Sequence, residues 1–249
     1  MALETIVEEH ERGNHIITGS DGKLFRGLGW VGSLTAKLML LSYKMGETPK
    51  EETKQYITET LNNSELKNTT VRIGHTRTFQ DTYRLFKDPR LRDVSLLGKI
   101  IFGIPSTLFG GLYGKLFRGD HYNPFTRTIH CYSDVKAIAG HELGHAVDYQ
   151  QRKHPLTYGW FGANFDIIGW YQEYKASKIA AQTLSKEDRW QDSRYLLPAY
   201  LSYIAGPVAT IAASAVTAVY TRAIRAVNYM KKAFSKSRDY SPRPIPQPA

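Results

Sequence analysis

Cysteine is almost absent from this sequence. The 249 residues include a single one, Cys131, which excludes an intramolecular disulfide framework and any cysteine-rich zinc site. A lone thiol in such a chain usually packs as a small apolar group, and we expect Cys131 to be buried in that way.

Two kinds of N-terminal leader are also not expected. Residues 1–12 are charged and contain four glutamates, so they do not resemble a secretory signal or a simple mitochondrial presequence. The formal net charge is +10, but the basic residues are dispersed until the C-terminus and no nucleic-acid-binding module is recognisable. Nucleic acid is therefore not expected as a partner. Contact with anionic membrane lipid fits the charge equally well, so we expect a membrane-associated protein, or otherwise a cytoplasmic one.

Charge is missing from two long stretches. The 15 residues of 100–114 have none but include four glycines, and they are too few for a standard membrane span. They predict a re-entrant or interfacial segment, or a glycine-rich active-site loop. The 26 uncharged residues from Leu196 to Thr221 are enough to cross a bilayer, although Gly206 and Pro207 near their middle also suit a pair of buried helices. If they do cross, the basic residues that follow should lie on the cytoplasmic side.

The pattern along the chain predicts a mainly helical α+β fold. A helix is expected from about Pro49 to Leu61, a strand near 70–73 and a further helix from Phe79 to about Asp88. The apolar stretch 27–43 predicts a buried or interfacial helix. The expected regions are an N-terminal part of unknown role (1–94), a core (95–190), an apolar helical segment that could span a membrane, with a basic flank (191–232), and a disordered, basic and proline-rich tail (233–249).

The clearest motif is His-Glu-x-x-His, which starts at His141. Ser133 or Asp134 can cap a helix there, and the apolar residues around the motif can form a buried face: Val135, Ile138, Ala139, Ala146 and Val147. Residues four apart lie above one another on a helix, so His141 and His145 can bind one zinc ion. Zinc lowers the pKa of a water molecule, and Glu142 is placed to take its proton.

A third protein ligand is expected downstream, because catalytic zinc sites use three ligands and keep one position open. Gln151 occupies the position where the extended metzincin pattern has histidine, which excludes that class. His154 comes just before a proline and beyond the expected helix end. Asp148, three residues after His145, is better suited to orient a ligand than to bind the metal.

Glu173 is the favoured third ligand. It comes 28 residues after His145, far enough for the chain to turn and return as a second helix. Ala176 and Ala180 fall on the same helical face as Glu173, so that face can approach the zinc helix closely.

A strand is expected at 126–132, directly before the zinc helix, and its free edge could pair with an extended peptide. His121 and His130 flank or lie in this region. Each is expected to be structural rather than a metal ligand.

The motif at His141, followed by Glu-Tyr-Lys-Ala-Ser from Glu173 to Ser177, resembles the glu-zincin metallopeptidases. The resemblance is closest to the membrane-bound stress-peptidase branch, whose second motif is Glu-x-x-Ala-Asp, and it covers about residues 120–185. It implies a zincin-like core with a small sheet, an edge strand, an active-site helix and a glutamate helix.

The same resemblance implies one zinc ion with His141, His145 and Glu173 as ligands and Glu142 as general base. Ser177 stands where that branch has an aspartate that orients a ligand histidine. A serine can still form a hydrogen bond but carries no charge, so it supports the ligand less strongly.

Zinc-dependent hydrolysis of peptide bonds is therefore the expected function, with a peptide or protein as substrate. Candidates for stabilising the oxyanion are Tyr158, His154 and Tyr171, and the sequence does not choose among them. Two alternatives stay open. One is a catalytically inactive zincin-like scaffold, which Ser177 favours and Glu142 opposes. The other is a basic protein that binds a membrane surface or nucleic acid, with salt-sensitive binding that ignores chelators.

Overall fold

The computed structural model describes residues 6–34, 37, 43–155, 157–159 and 166–189. It has an α+β fold in which helices dominate over a small mixed sheet. The strands are β1 (Ile6–His10), β2 (Asn14–Thr18), β3 (Thr70–Ile73), β4 (His121–Asn123) and β5 (Thr128–Cys131). The helices are α1 (Lys23–Gly32), α2 (Glu51–Asn63), α3 (Thr78–Lys87), α4 (Leu96–Phe117), α5 (Lys136–Gln150) and α6 (Asp166–Thr183). The predictions of α2, β3 and α3 are confirmed to within about two residues.

The five strands follow the order β1-β2-β3-β5-β4. The inner pairs β2–β3 and β3–β5 are parallel, whereas β1 and β4 pair antiparallel to their neighbours. Strand β5, which precedes α5, is therefore not an edge strand, and the prediction of a free edge at β5 is wrong. The short strand β4, which pairs Tyr122 with Ile129, covers that edge and becomes the outer strand itself.

One face of the sheet is apolar. Because side chains alternate along a strand, Val71 and Ile73 of β3 and Ile129 and Cys131 of β5 point to the same side. All four are fully buried in the main core, where α2 and α5 cover them. The expected burial of Cys131 is confirmed.

The opposite face is polar and equally buried. Thr70 and Arg72 of β3 and Thr128 and His130 of β5 lie there, each at most 4% exposed. Arg72 forms a salt bridge with Asp81 of α3, with Nη2 2.7 Å from Oδ1. The predicted structural role of His130 agrees with its burial in this layer, where its ring stacks on His121 at 4.4 Å between centroids.

Helix α4 continues without a break from Leu96 to Phe117, with a π-helical turn at Lys99–Gly103. Of the predicted alternatives, the glycine-rich loop is wrong, because the glycines lie inside the helix, while the re-entrant and interfacial segments stay predictions. By length and composition α4 could cross a membrane, and it is the one described helix that could. The apolar stretch Leu196 to Thr221 lies outside the described residues.

Helix α1 packs on the C-terminal end of α4. The approach depends on glycine: a Cβ atom on Gly32 would lie 1.9 Å from the carbonyl oxygen of Leu116. Gly29 is the buried residue of α1, while Leu28, Trp30 and Val31 are exposed. The part of the 27–43 stretch that is described therefore forms a surface helix and not a buried one.

Candidate metal centre

Helix α5 carries the His-Glu-x-x-His motif into the interior. Its predicted apolar face is confirmed, since Val135, Ala139 and Ala146 lie in the main core and the partly buried Ile138 and Val147 pack against it. The predicted cap is wrong, because the N-cap is Val135 and makes no side-chain hydrogen bond. Asp134 instead accepts hydrogen bonds from the Lys50 backbone amide and the Thr53 hydroxyl, both at 2.9 Å, and so supports the start of α2.

Helix α6 packs against α5 through small residues on both sides, as the alanine pattern predicts. Ala176 and Ala180 are fully buried. A Cβ atom on Gly144 would lie 2.4 Å from the carbonyl oxygen of Ala176. Because neither helix holds a larger side chain here, their backbones approach closely enough for Glu173 to reach the two histidines.

The side chains of His141, His145 and Glu173 converge on one point. The two Nε2 atoms are 3.1 Å apart, and the carboxylate oxygens of Glu173 lie 2.9 Å from His141 and 3.2 Å from His145. Ligand atoms of a tetrahedral zinc ion with bonds of about 2.0–2.1 Å are separated by roughly 3.3–3.4 Å. The donor set of two imidazoles and one carboxylate therefore fits a zinc ion in chemistry and in spacing. Within the described ranges it is the one such group.

The charge state of Glu173 suits a ligand. Burial opposes its ionisation, but hydrogen bonds from His141 and His145 outweigh burial and lower the pKa of Glu173 below its ordinary value. The ring of His141 is held from its other side by Ser177, whose Oγ lies 3.1 Å from Nδ1. Ser177 thus forms the hydrogen bond to His141 that is predicted for this position. It lacks the charge that an aspartate would supply.

Glu142 lies next to this group but is not one of the three converging residues. Burial raises the pKa of its carboxyl group to about 8, with the nearby carboxylates of Asp120 and Glu173 adding to the rise and His141 opposing it. The backbone amide of Tyr122 on β4 also opposes the rise. Glu142 is therefore held between the candidate ligands and the outer strand, where a cation bound by those ligands would lower its pKa and favour the carboxylate that a general base needs.

The remaining predicted site residues belong to a neighbouring cluster. Asp148 is buried, but its carboxylate pairs with Arg152 and accepts a hydrogen bond of 2.7 Å from the Tyr158 hydroxyl. Asp148 therefore stabilises the segment after α5. These partners include neither His141 nor His145, so the contacts do not show the predicted orienting role. His154 is exposed and follows the end of α5. Tyr171 is exposed on α6, with Arg152 over its ring.

Of the three oxyanion candidates, Tyr158 is the one linked to the ligands by side-chain contacts. The centroid of its ring lies 5.3 Å from that of Tyr149. The Tyr149 centroid in turn lies 6.5 Å from that of the His145 ring. Burial raises the pKa of Tyr158, and the Asp148 carboxylate raises it further, so the hydroxyl keeps its proton at neutral pH.

Sequence reasoning missed residues that form the wall of the site. Tyr149 donates a hydrogen bond of 3.2 Å to Gln172, whose amide donates one of 2.7 Å to the carbonyl of Tyr158. Tyr149 comes four residues after His145, so the helical period that links the two histidines could have identified it. Asp120 accepts hydrogen bonds from the Tyr132 amide and from Ser133. No local sequence signal marks it.

Comparisons with known proteins do not identify a relative. No protein-family model, no curated protein and no solved structure matches the chain. The resemblance to glu-zincins therefore rests on the motif residues and on the arrangement of α5 and α6 around them.

Proposed function

We propose that the protein is a zinc-dependent peptidase of the glu-zincin type. The observation that carries the proposal is the convergence of His141, His145 and Glu173, with the carboxyl group of Glu142 beside them. Two histidines one helical turn apart and a carboxylate from a second helix form a common catalytic zinc site, whereas a purely structural site has no use for a buried Glu142.

In this proposal His141, His145 and Glu173 hold one zinc ion. When bound, zinc supplies Lewis acidity, which lowers the pKa of water and polarises a carbonyl group. Glu142 accepts a proton from the attacking water and passes it to the leaving amine. Ser177 keeps the ring of His141 in the orientation that directs Nε2 toward Glu173. The Tyr158 hydroxyl is the favoured hydrogen-bond donor to the oxyanion, for which it would turn its single proton away from Asp148.

The position of β4 supports a peptide as the substrate. Within the described part of the chain, no strand pairs with its outer edge. An extended peptide can add to such an edge through backbone hydrogen bonds. Because β4 contacts α5 and its Tyr122 amide lies near enough to Glu142 to lower the pKa of that carboxyl group, a peptide beside β4 would pass close to the proposed general base.

The proposal also includes a membrane location. It is supported by the length and apolar composition of α4.

The first experiment is to measure zinc in the purified chain and in the Glu173→Ala and Glu142→Gln variants. We expect one zinc ion in the wild type, none or little in Glu173→Ala, and one in Glu142→Gln. Peptide hydrolysis should require Glu142, and its loss in Glu142→Gln without loss of zinc separates the general base from the ligands. Zinc that survives in Glu173→Ala would contradict the ligand set. Bound zinc without hydrolysis would favour an inactive scaffold.

A further inference from the structure

An ordinary surface helix packs its apolar side against the protein and exposes its polar side. Helix α4 does the opposite. Over its C-terminal half, the side that packs on the body consists of glycine and threonine against polar neighbours. Thr107 accepts a hydrogen bond of 3.2 Å from Asn123, and a Cβ atom on Gly111 would lie 2.1 Å from the Thr78 hydroxyl. A Cβ atom on Gly114 would lie 2.8 Å from the Thr76 hydroxyl.

The outward side of the same helix is apolar. Leu108, Phe109 and Leu112 are exposed, Phe109 to 73%. Helix α1, which packs beside the end of α4, adds exposed Leu28, Trp30 and Val31. We call these six residues the apolar surface. Monomeric proteins in water rarely leave so large a set of neighbouring apolar side chains in contact with solvent.

The charge around the apolar surface has one sign. Together α1 and α4 contain no aspartate or glutamate, and their cations that reach the surface are Lys23, Arg26 and Lys115, whereas Lys99 is buried. The ammonium group of Lys115 lies 5.2 Å from the ring centroid of Phe25, at the junction of the two helices. Apolar side chains next to cations and free of anions match the boundary between acyl chains and anionic headgroups.

We propose that α1 and α4 bind the surface of an anionic lipid bilayer, with the apolar surface in the headgroup boundary. This inference specifies the membrane location of the proposed function and does not depend on the zinc chemistry. Helix α4 would lie along the membrane and not cross it, because Thr107, Gly111 and Gly114 hold its other side against the sheet and α3. To cross a bilayer, the helix would have to leave those polar neighbours.

A fluorescent probe at single cysteines tests the orientation in the full chain. The natural Cys131 does not compete with the introduced cysteines for the probe, because it is fully buried and burial raises the pKa of its thiol. Labelled Leu97→Cys, Phe109→Cys and Phe117→Cys would place an environment-sensitive nitrobenzoxadiazole probe along α4. Labelled Ile167→Cys, at an 81% exposed position of α6, is the control.

With vesicles of phosphatidylcholine and phosphatidylglycerol, we expect a several-fold rise in fluorescence at all three α4 positions and little change at residue 167. Lipids with a shallow quencher should quench the three positions to a similar extent. A probe that lies deep in the bilayer at position 109 but near its surface at positions 97 and 117 would show a spanning helix and overturn the proposal.

Two further outcomes would also contradict it. No rise at any α4 position would show that another segment of the chain or a protein covers the apolar surface. An equal rise on phosphatidylcholine alone would remove the anionic preference, which should weaken as salt screens the cations. Zinc content measured on the same preparations keeps a failed membrane test distinct from a failed zinc site.

Discussion

The sheet buries an apolar face against α2 and α5 and a polar face against α3 and α4. On the first, Val71 and Ile129 pack in the main core below the motif helix. On the polar face, Arg72 is 1% exposed. Its side chain contacts Asp81 and His75, and threonines lie on the same face. Both faces exclude water, yet one does so through apolar contact and the other through satisfied polar groups.

The difference has consequences for the two helices that cover these faces. Helix α5 rests on apolar side chains, so its position depends on packing, and the candidate ligands sit on a rigid support. Helix α4 packs its glycines and Thr107 against polar side chains. Its large apolar residues therefore lie on the opposite, exposed side. The polar face therefore explains why α4 is apolar on its exposed side.

The strongest test of this contrast is the ion pair on the polar face. Asp81 accepts hydrogen bonds from Arg72 and from Arg84 and is almost fully buried. Removing it in Asp81→Ala leaves the buried Arg72 guanidinium without a carboxylate, while Arg84 keeps Asp88, and we expect a loss of about 3–5 kcal/mol in the free energy of unfolding. Unfolding in urea measures it.

The matched control is Asp93→Ala. Asp93 also pairs with an arginine, Arg127, but its side chain is 58% exposed. Exposed pairs contribute roughly 0–1 kcal/mol, so this variant should unfold nearly as the wild type does. Equal losses in the two variants would contradict the idea that burial makes the polar face sensitive.

On the other side of the molecule, the close approach of α5 and α6 depends on Gly144. In Gly144→Ala the new methyl group would meet the backbone oxygen of Ala176, which cannot rotate away. We expect a loss of about 1–3 kcal/mol in stability, with weaker zinc binding because Glu173 moves with α6. Gly27→Ala in α1 is the control, since nothing lies within 4 Å of the added atom. It should leave zinc binding unchanged.

Ser177 permits a finer test of the candidate site. Its replacement in Ser177→Ala removes the hydrogen bond to Nδ1 of His141 but leaves the three converging groups in place. Loss of such an orienting group typically weakens metal binding by about 10–100-fold. Competition with a chelating dye gives the affinity. Ser177→Asp should bind zinc at least as well as the wild type if orientation of His141 is the role of this position.

Much of the candidate site follows from sequence because its signals are local. The helical period places His141 and His145 together, and the spacing of Ala176 and Ala180 indicates which face of α6 meets α5. Glu173 is three residues before Ala176, so it falls on that face. These are statements about one helix at a time.

The errors come from contacts between elements. Strand β4 is three residues long, too short for a pattern, so β5 was expected at the edge that β4 occupies. Asp134 has the residue type of a cap for α5 but lies closer to Lys50 and Thr53 of another helix. The glycines of α4 suggest a loop, and only their neighbours, such as Thr78 beside Gly111, show why a helix needs them.

The smallest expected effect concerns His130 on the polar face. Burial lowers the pKa of His130 well below its ordinary value, and the nearby His121 and Arg72 lower it further. Asp81 lies 4.0 Å away, but its charge is already shared by Arg72 and Arg84. The folded protein therefore keeps this ring neutral, whereas the unfolded chain binds a proton as pH falls through about 6.5.

Because the unfolded state binds more protons there, His130 should reduce stability as pH falls below its ordinary pKa. In His130→Gln the decrease in urea midpoint between about pH 7 and pH 5 should be shallower than in the wild type. His154→Gln, at an exposed position, should leave the slope unchanged. A His130→Gln slope equal to that of the wild type would mean that the polar face accepts the proton. The polar face would then differ from the apolar face, where the one ionisable side chain from β3 or β5 is the Cys131 thiol, whose pKa burial raises well above its ordinary value.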